Sequence, residues 1–155
     1  MVSETFVADD TARDPRPAGA RDSYRRVREY PRPRVLVVDD EPLVRWSVAE
    51  TLRARGYQTV EAGSASEAID ILMREPAIDA ALLDLLLPDN HDLWLLATLR
   101  LMAPAVPVIL MTAFSTEALI EGARRLGAFT VINKPFEMNE LAPLIRQAML
   151  AKRPN

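Results

Sequence analysis

The sequence predicts an α/β protein with a doubly wound, five-stranded parallel sheet, a (βα)5 arrangement. Three observations predict it. Short apolar runs alternate five times with segments of helical periodicity. Three of those runs, at 35–38, 80–85 and 106–111, are apolar almost throughout, as strands covered on both faces are. Polar residues able to do chemistry stand where the runs end, the edge at which open α/β sheets carry their functional crevice.

The elements follow in order. VLVV at 35–38 is a strand that runs straight into Asp39 and Asp40. A helix is expected over 41–55, with Leu43, Val44, Val48 and Leu52 on one face and Gly56 as its stop. A second strand spans 57–62. The helix over 64–75 carries Ala65, Ala68, Ile69, Leu72 and Met73 at helical spacing. The strand over 80–85 contains Asp84, and a helix over 93–102 follows it. The strand over 106–111 meets Thr112. The helix over 115–126 is stopped by Gly127, and the strand over 129–133 meets Lys134-Pro135. The last helix, 137–151, has Leu141, Leu144, Ile145, Ala148 and Met149 at helical spacing. Right-handed crossovers turn this alternation into a doubly wound fold.

Composition narrows the function. The chain has 155 residues, 49% apolar and 26% charged, ordinary values for a soluble globular protein with one real core. A net charge of −3 argues against a nucleic-acid binder that uses its whole surface. There is no cysteine, which excludes disulfides, thiolate zinc sites and cysteine nucleophiles and fits a cytoplasmic location. The single histidine, His91, excludes paired-histidine chemistry and reads as a loop residue. No secretory signal is visible in MVSETFVADD. The stretch 93–114 has the length of a membrane span, but Arg100, Pro104 and Pro107 make it a helix, a turn and a strand. Residues 1–33 are polar and proline-containing and read as a disordered arm. Its second half opens a basic stretch, RDSYRRVREYPRPR, with Arg21, Arg25, Arg26, Arg28, Arg32 and Arg34 interleaved with Tyr24 and Tyr30. A solvated tail is the plainer reading, and contact with nucleic acid or an acidic partner the sharper one. Residues 34–151 form the domain and 152–155 a tail.

Asp39, Asp40, Asp84, Thr112 and Lys134 therefore gather at one sheet edge. Alone, Asp39 or Asp40 could cap a helix and Asp84 could be a turn residue. Together they form a set. Clustered carboxylates resist joint ionisation without a cation. All-oxygen donors suit Mg²⁺, which takes one or two carboxylates with water and phosphate oxygens. An aspartate beside such an ion can attack phosphorus, while a lysine and a hydroxyl hold the other phosphoryl oxygens.

With those residues in view, the stretch from Arg34 to about Ala151 resembles a receiver domain of a two-component response regulator. The matching segments are VLVVDDEP, LLDLLLPD, ILMTAF and LGAFTVINKPF. LVRWSVAETL and the LGAF…KPF segment are most similar to receivers of the nitrogen-regulatory, enhancer-binding class. The resemblance implies a flavodoxin-like receiver fold and a phosphoryl group accepted by Asp84 from a sensor histidine kinase or phosphotransfer protein. It implies Mg²⁺ held by Asp39, Asp40, Asp84 and the backbone carbonyl of Leu86, with Thr112 and Lys134 on the phosphoryl group. It also implies a cis Lys134–Pro135 bond, a downstream protein partner, and a homodimer surface on the fourth helix, fifth strand and fifth helix. No turnover of an external substrate and no membrane partner are expected. The chain closes on AKRPN, so a stand-alone receiver is expected.

Three departures from the family pattern stand out. His91-Asp92 replaces Asp-Gly after the phosphoacceptor, so Asn90 or Asp92 is expected to take a positive φ. Val131 occupies the switch-aromatic position, and a valine has no ring to swing. Leu86 and Phe114 flank the expected path of the hydrolytic water and offer it no hydrogen bond, which predicts a long-lived aspartyl phosphate. Three alternatives stand beside this reading. A receiver-fold interaction module without signalling is favoured by Val131. An aspartyl-nucleophile hydrolase is opposed by the adjacent acids, where Asp-x-Asp is expected. DNA binding through the arm is opposed by the acidic total and the lack of a helix-turn-helix.

Overall fold

The computed structural model describes residues 31–75 and 77–151. Five strands, β1 (Arg34–Val38), β2 (Gln58–Ala62), β3 (Ala80–Asp84), β4 (Val108–Thr112) and β5 (Thr130–Asn133), alternate with five α-helices. These are α1 (Pro42–Ala54), α2 (Ala65–Arg74), α3 (Trp94–Met102), α4 (Glu117–Arg125) and α5 (Leu141–Ala151). All four strand pairings are parallel, and the order across the sheet is β2-β1-β3-β4-β5. The doubly wound parallel sheet is borne out. The basic arm residues up to Tyr30 and the tail 152–155 lie outside the described residues.

The pleat sends successive side chains to opposite faces, and each face has its own core. Val35, Val37, Ala80, Leu82, Ile109 and Met111 pack with Val48 and Leu52 of α1 and with Leu141, Ile145 and Ala148 of α5. Leu36, Val38, Ala81, Leu83, Val108 and Leu110 face the other way, onto α2, α3 and α4 through Ala65, Ala68, Leu95, Leu96, Leu99 and Ala123. The near-continuous apolar runs are therefore central strands covered on both sides. β5, at one edge, has no fully buried residue.

Four expectations need correction. Leu43 does not join the buried face of α1 and is 74% exposed. Met73 likewise is 71% exposed on α2. Both lie at the margin of their helix's apolar stripe, and the neighbouring Val44 and Leu72 cover the core instead. The fourth strand starts at Val108, after Pro107, which has no N–H for a ladder bond. The last α-helix starts at Leu141, preceded by a 3₁₀ turn at Met138–Glu140. An α-helix begun at 137 would need Pro143 to donate to the carbonyl of Asn139, and proline has no proton to donate. With Leu141 as the first residue, Pro143 sits harmlessly in the first turn. Elsewhere the ends move by a residue or two, set by caps: Ser64 accepts from Glu67 N–H and Thr116 from Leu119 N–H. Gly56 and Gly127 stop their helices at φ 92° and 91°.

Among the described residues no helix is long and apolar enough to cross a membrane. The stretch 93–114 contains α3, a turn and β4.

Leu36→Ala, at a fully buried core site, should cost about 3 kcal/mol of unfolding free energy. Leu43→Ala should stay within about 0.5 kcal/mol of the parent. Urea denaturation of the two variants checks both.

Candidate phosphoryl-transfer and metal site

β1 and β3 are neighbours although not consecutive in the chain, so the direction of winding reverses between them. Asp39 follows β1 and Asp84 ends β3, which brings two carboxylates to that switch point. Asp40 completes the group. One carboxylate oxygen from each of Asp39, Asp40 and Asp84 lies within 4.8 Å of the others. Asp39 and Asp84 are buried and Asp40 is exposed.

Local bonds orient each group. Asp39 N–H donates to Ala62 O at 3.1 Å, which holds its backbone against β2. Its Oδ1 accepts from Glu41 N–H at 2.9 Å, so the side chain also shapes the entry to α1. This is a turn ahead of the helix and not a cap: Glu41 is the N-cap residue of α1, and no side chain caps that helix start. Arg45, on α1, donates from Nη1 to the Asp39 carbonyl at 2.8 Å and pairs with Glu61 at 3.5 Å. Asp84 Oδ1 accepts from Leu86 N–H at 3.1 Å.

Lys134 crosses from the end of β5. Its Nζ donates to Asp39 Oδ2 at 2.6 Å and to Asp84 Oδ2 at 3.2 Å. Its own N–H donates to Thr112 O at 2.8 Å, tying the lysine to the end of β4. The Lys134–Pro135 bond is cis, as the resemblance implied. Thr112 is fully buried, and its hydroxyl both accepts from Phe114 N–H and donates to Phe114 O at 3.1 Å.

Three carboxylates and one ammonium leave two negative charges uncompensated when all are ionised. The cost shows at Asp84, whose carboxyl is raised above the usual range. Burial is the main cause and the Asp39 charge adds to it, while Leu86 N–H and Lys134 pull the other way. At Lys134 burial is the largest influence and opposes the charge. The hydrogen bond to Asp39 and the two carboxylate charges outweigh it and raise the lysine. A divalent cation would cancel the excess. The donors are all oxygen, and their spacing approaches the roughly 3–4 Å between ligand oxygens around an octahedral Mg²⁺.

The β3–α3 loop carries Asp89, which the sequence did not single out, and Asn90, named there only as a candidate for a positive φ. Asp89 accepts from Ala65 N–H and Ser66 N–H of α2, each at 2.9 Å. Those two bonds, Ser66 first, hold its carboxyl below the usual range. Asn90 donates to Leu85 O at 3.2 Å and accepts from Leu95 N–H at 3.0 Å. Asp92 takes the positive φ, 50°, in the loop where glycine was missing. His91 is an exposed loop residue whose carbonyl accepts from Trp94 N–H. Leu86 is 54% and Phe114 78% exposed. Val131 is part-buried against the α2–α4 side of the core.

Comparison with known proteins agrees with the geometry. A family profile described as "response regulator receiver domain" matches residues 35–146. Transcriptional regulatory protein PdtaR of Mycobacterium tuberculosis is 36% identical over 118 residues, 75% of this chain and 56% of that protein. A putative NtrX-like response regulator of Rickettsia felis is 31% identical over 74% of this chain and 24% of its own length. The chain thus spans about half, or a quarter, of these relatives. A crystal structure of a CheY-like receiver domain protein from Methanospirillum hungatei superposes with a TM-score of 0.74 at 26% identity, covering 78% of this chain and 96% of that one.

Asp84 binds a proton more tightly folded than unfolded. Its ionisation therefore costs stability above the unfolded pKa, increasingly so up to the folded value and constantly beyond it. Asp84→Asn should melt above the parent at neutral pH, with the gain vanishing as pH falls below the ordinary carboxylate range. Paired thermal melts across pH check this.

Proposed function

Because this chain belongs to the response regulator receiver family, we propose that it accepts a phosphoryl group on Asp84 from a phosphohistidine of a sensor kinase or phosphotransfer protein. The observation that carries the reading is Lys134 bonded to both Asp39 and Asp84 beside Asp40. Receiver domains bind Mg²⁺ at such an acidic pocket, and here Asp39, Asp40, Asp84 and the Leu86 carbonyl would hold it. When bound, the ion supplies charge neutralisation for the phosphoryl oxygens.

The chain's own groups do the rest. Asp84 is the nucleophile: one carboxylate oxygen forms the bond to phosphorus as the phosphorus–nitrogen bond to the donor imidazole breaks. The bonding pair leaves with the imidazole nitrogen. Leu86 N–H on Oδ1 keeps the carboxylate oriented. Lys134 must exchange part of its contact with Asp84 for a phosphoryl oxygen, and its bond to Asp39 keeps it in reach while it does so. The Thr112 hydroxyl, engaged with Phe114, would turn to the phosphoryl group and release the Phe114 backbone. That release couples the modified aspartate to the loop before α4. Phosphorylation shifts a population between two such arrangements, and a partner protein or a second copy on the α4–β5–α5 face reads it. A receiver acting without an attached output domain is the mode we favour, by analogy with the receiver-length structural relative.

Val131 favours a second reading, a receiver-fold interaction module that no longer signals, because the position offers no ring to reorient.

Acetyl phosphate or phosphoramidate, read by intact mass, separates the two. An adduct that needs Mg²⁺ and disappears with EDTA or in Asp84→Asn is expected. A folded, Mg²⁺-binding protein that takes no adduct would favour the second reading. The adduct should outlast minutes, since the side chains of Leu86 and Phe114 offer an attacking water no hydrogen bond. Decay within seconds would overturn that expectation, whereas Leu86→Asn with Phe114→Ala should shorten the lifetime at least several-fold.

A further inference from the structure

The first turn of α2 is capped from two places. Ser64, the N-cap, takes Glu67 N–H through its own hydroxyl at 3.1 Å. It leaves the N–H groups of Ala65 and Ser66 without an intrahelical partner, as every helix start does. Asp89 takes both, one on each carboxylate oxygen, from 23 and 24 residues further along the chain. A carboxylate is well placed there, where the backbone donors converge and the helix dipole is positive.

A cap of this kind fixes two things at once. It completes α2, and it fastens the β3–α3 loop at a point three residues beyond Leu86. Asn90, the next residue, fastens the same loop to Leu85 O and to the start of α3. Between these anchors and the end of β3 the chain has little freedom, and within it lies the Leu86 N–H that orients Asp84. We propose that Asp89 is a positioning residue for the acidic site: by bridging the β3–α3 loop to the N-terminus of α2, it holds the Leu86 backbone in place against Asp84. This rests on the reading of Asp84 and its neighbours given above. Asp89 touches neither donor nor metal, and acts only through the loop backbone.

Ser64→Ala is the control, because it removes the other half of the same cap and weakens α2 without releasing the loop. The readouts are Leu86 amide exchange by NMR and Mg²⁺ affinity by NMR titration with magnesium chloride. Asp89→Ala should speed Leu86 exchange at least tenfold and weaken Mg²⁺ binding by about tenfold, the usual scale for outer-shell support of a metal site. Ser64→Ala should change either by less than twofold. Asp89→Asn, which keeps an acceptor oxygen and loses the charge, should lie nearer the parent than Asp89→Ala does. The inference is overturned if Asp89→Ala leaves Leu86 exchange within twofold of the parent, or if Ser64→Ala matches it. It is also overturned if Asp89→Asn weakens Mg²⁺ as much as Asp89→Ala with Leu86 undisturbed, since charge alone would then be acting. A parent that binds no Mg²⁺, yet whose Leu86 amide responds to Asp89 and not to Ser64, would defeat the metal-site reading and leave the positioning role standing.

Discussion

The ammonium of Lys134 between Asp39 and Asp84 is the interaction on which the rest of this structure depends. Two buried carboxylates at adjacent strand ends would otherwise face each other in a medium that screens them poorly. The lysine reaches them from the far edge strand, over the end of β4. That reach requires the order β1-β3-β4-β5, parallel pairing and a common register, so that four strands end at the same level. The compensation is incomplete by design of the charge count. One ammonium against three carboxylates leaves a deficit that an added divalent cation removes, and the raised Asp84 carboxyl is the local sign of it. Fold and chemistry thus share one electrostatic condition.

Most of the architecture was legible in the sequence because its signals are local. Runs such as VLVV and VILM announce buried strands, and Gly56 and Gly127 mark helix ends by a backbone requirement no distant residue alters. The polar residues at the strand ends were legible as a set for the same reason: once the strands are placed, their ends are placed. What stayed hidden depends on partners. Leu43 and Met73 fit an apolar stripe on paper, but how wide a stripe is buried depends on what packs against it. Pro143 and Pro107 moved element boundaries by withholding a proton, which a periodicity count does not weigh. Asp89 and Arg45 act on residues remote in sequence or on a backbone carbonyl, and nothing in their own neighbourhoods marks either as bonded.

The departures from the family pattern show how much freedom the scaffold tolerates around that electrostatic condition. Asp92 reaches φ 50° without glycine, at a cost of the order of 1 kcal/mol that the Asn90 bonds can offset. Val131 fills part of the core where a ring is expected. If activation moves the Thr112–Phe114 loop, the surface change here must be carried by that loop's backbone and by the exposed Phe114 itself.

The Lys134–Asp39 contact joins residues separated by 95 positions, and Lys134–Asp84 by 50. Contacts so distant close only after the intervening chain has been ordered, and their loop-closure entropy falls due before they return anything. The site is therefore whole only when strands from both ends of the domain have come together. No fragment that ends before β5 can carry it, and a nascent chain has the acids long before it has the lysine. On the function proposed above, taking a phosphoryl group reports that β1, β3, β4 and β5 have come together.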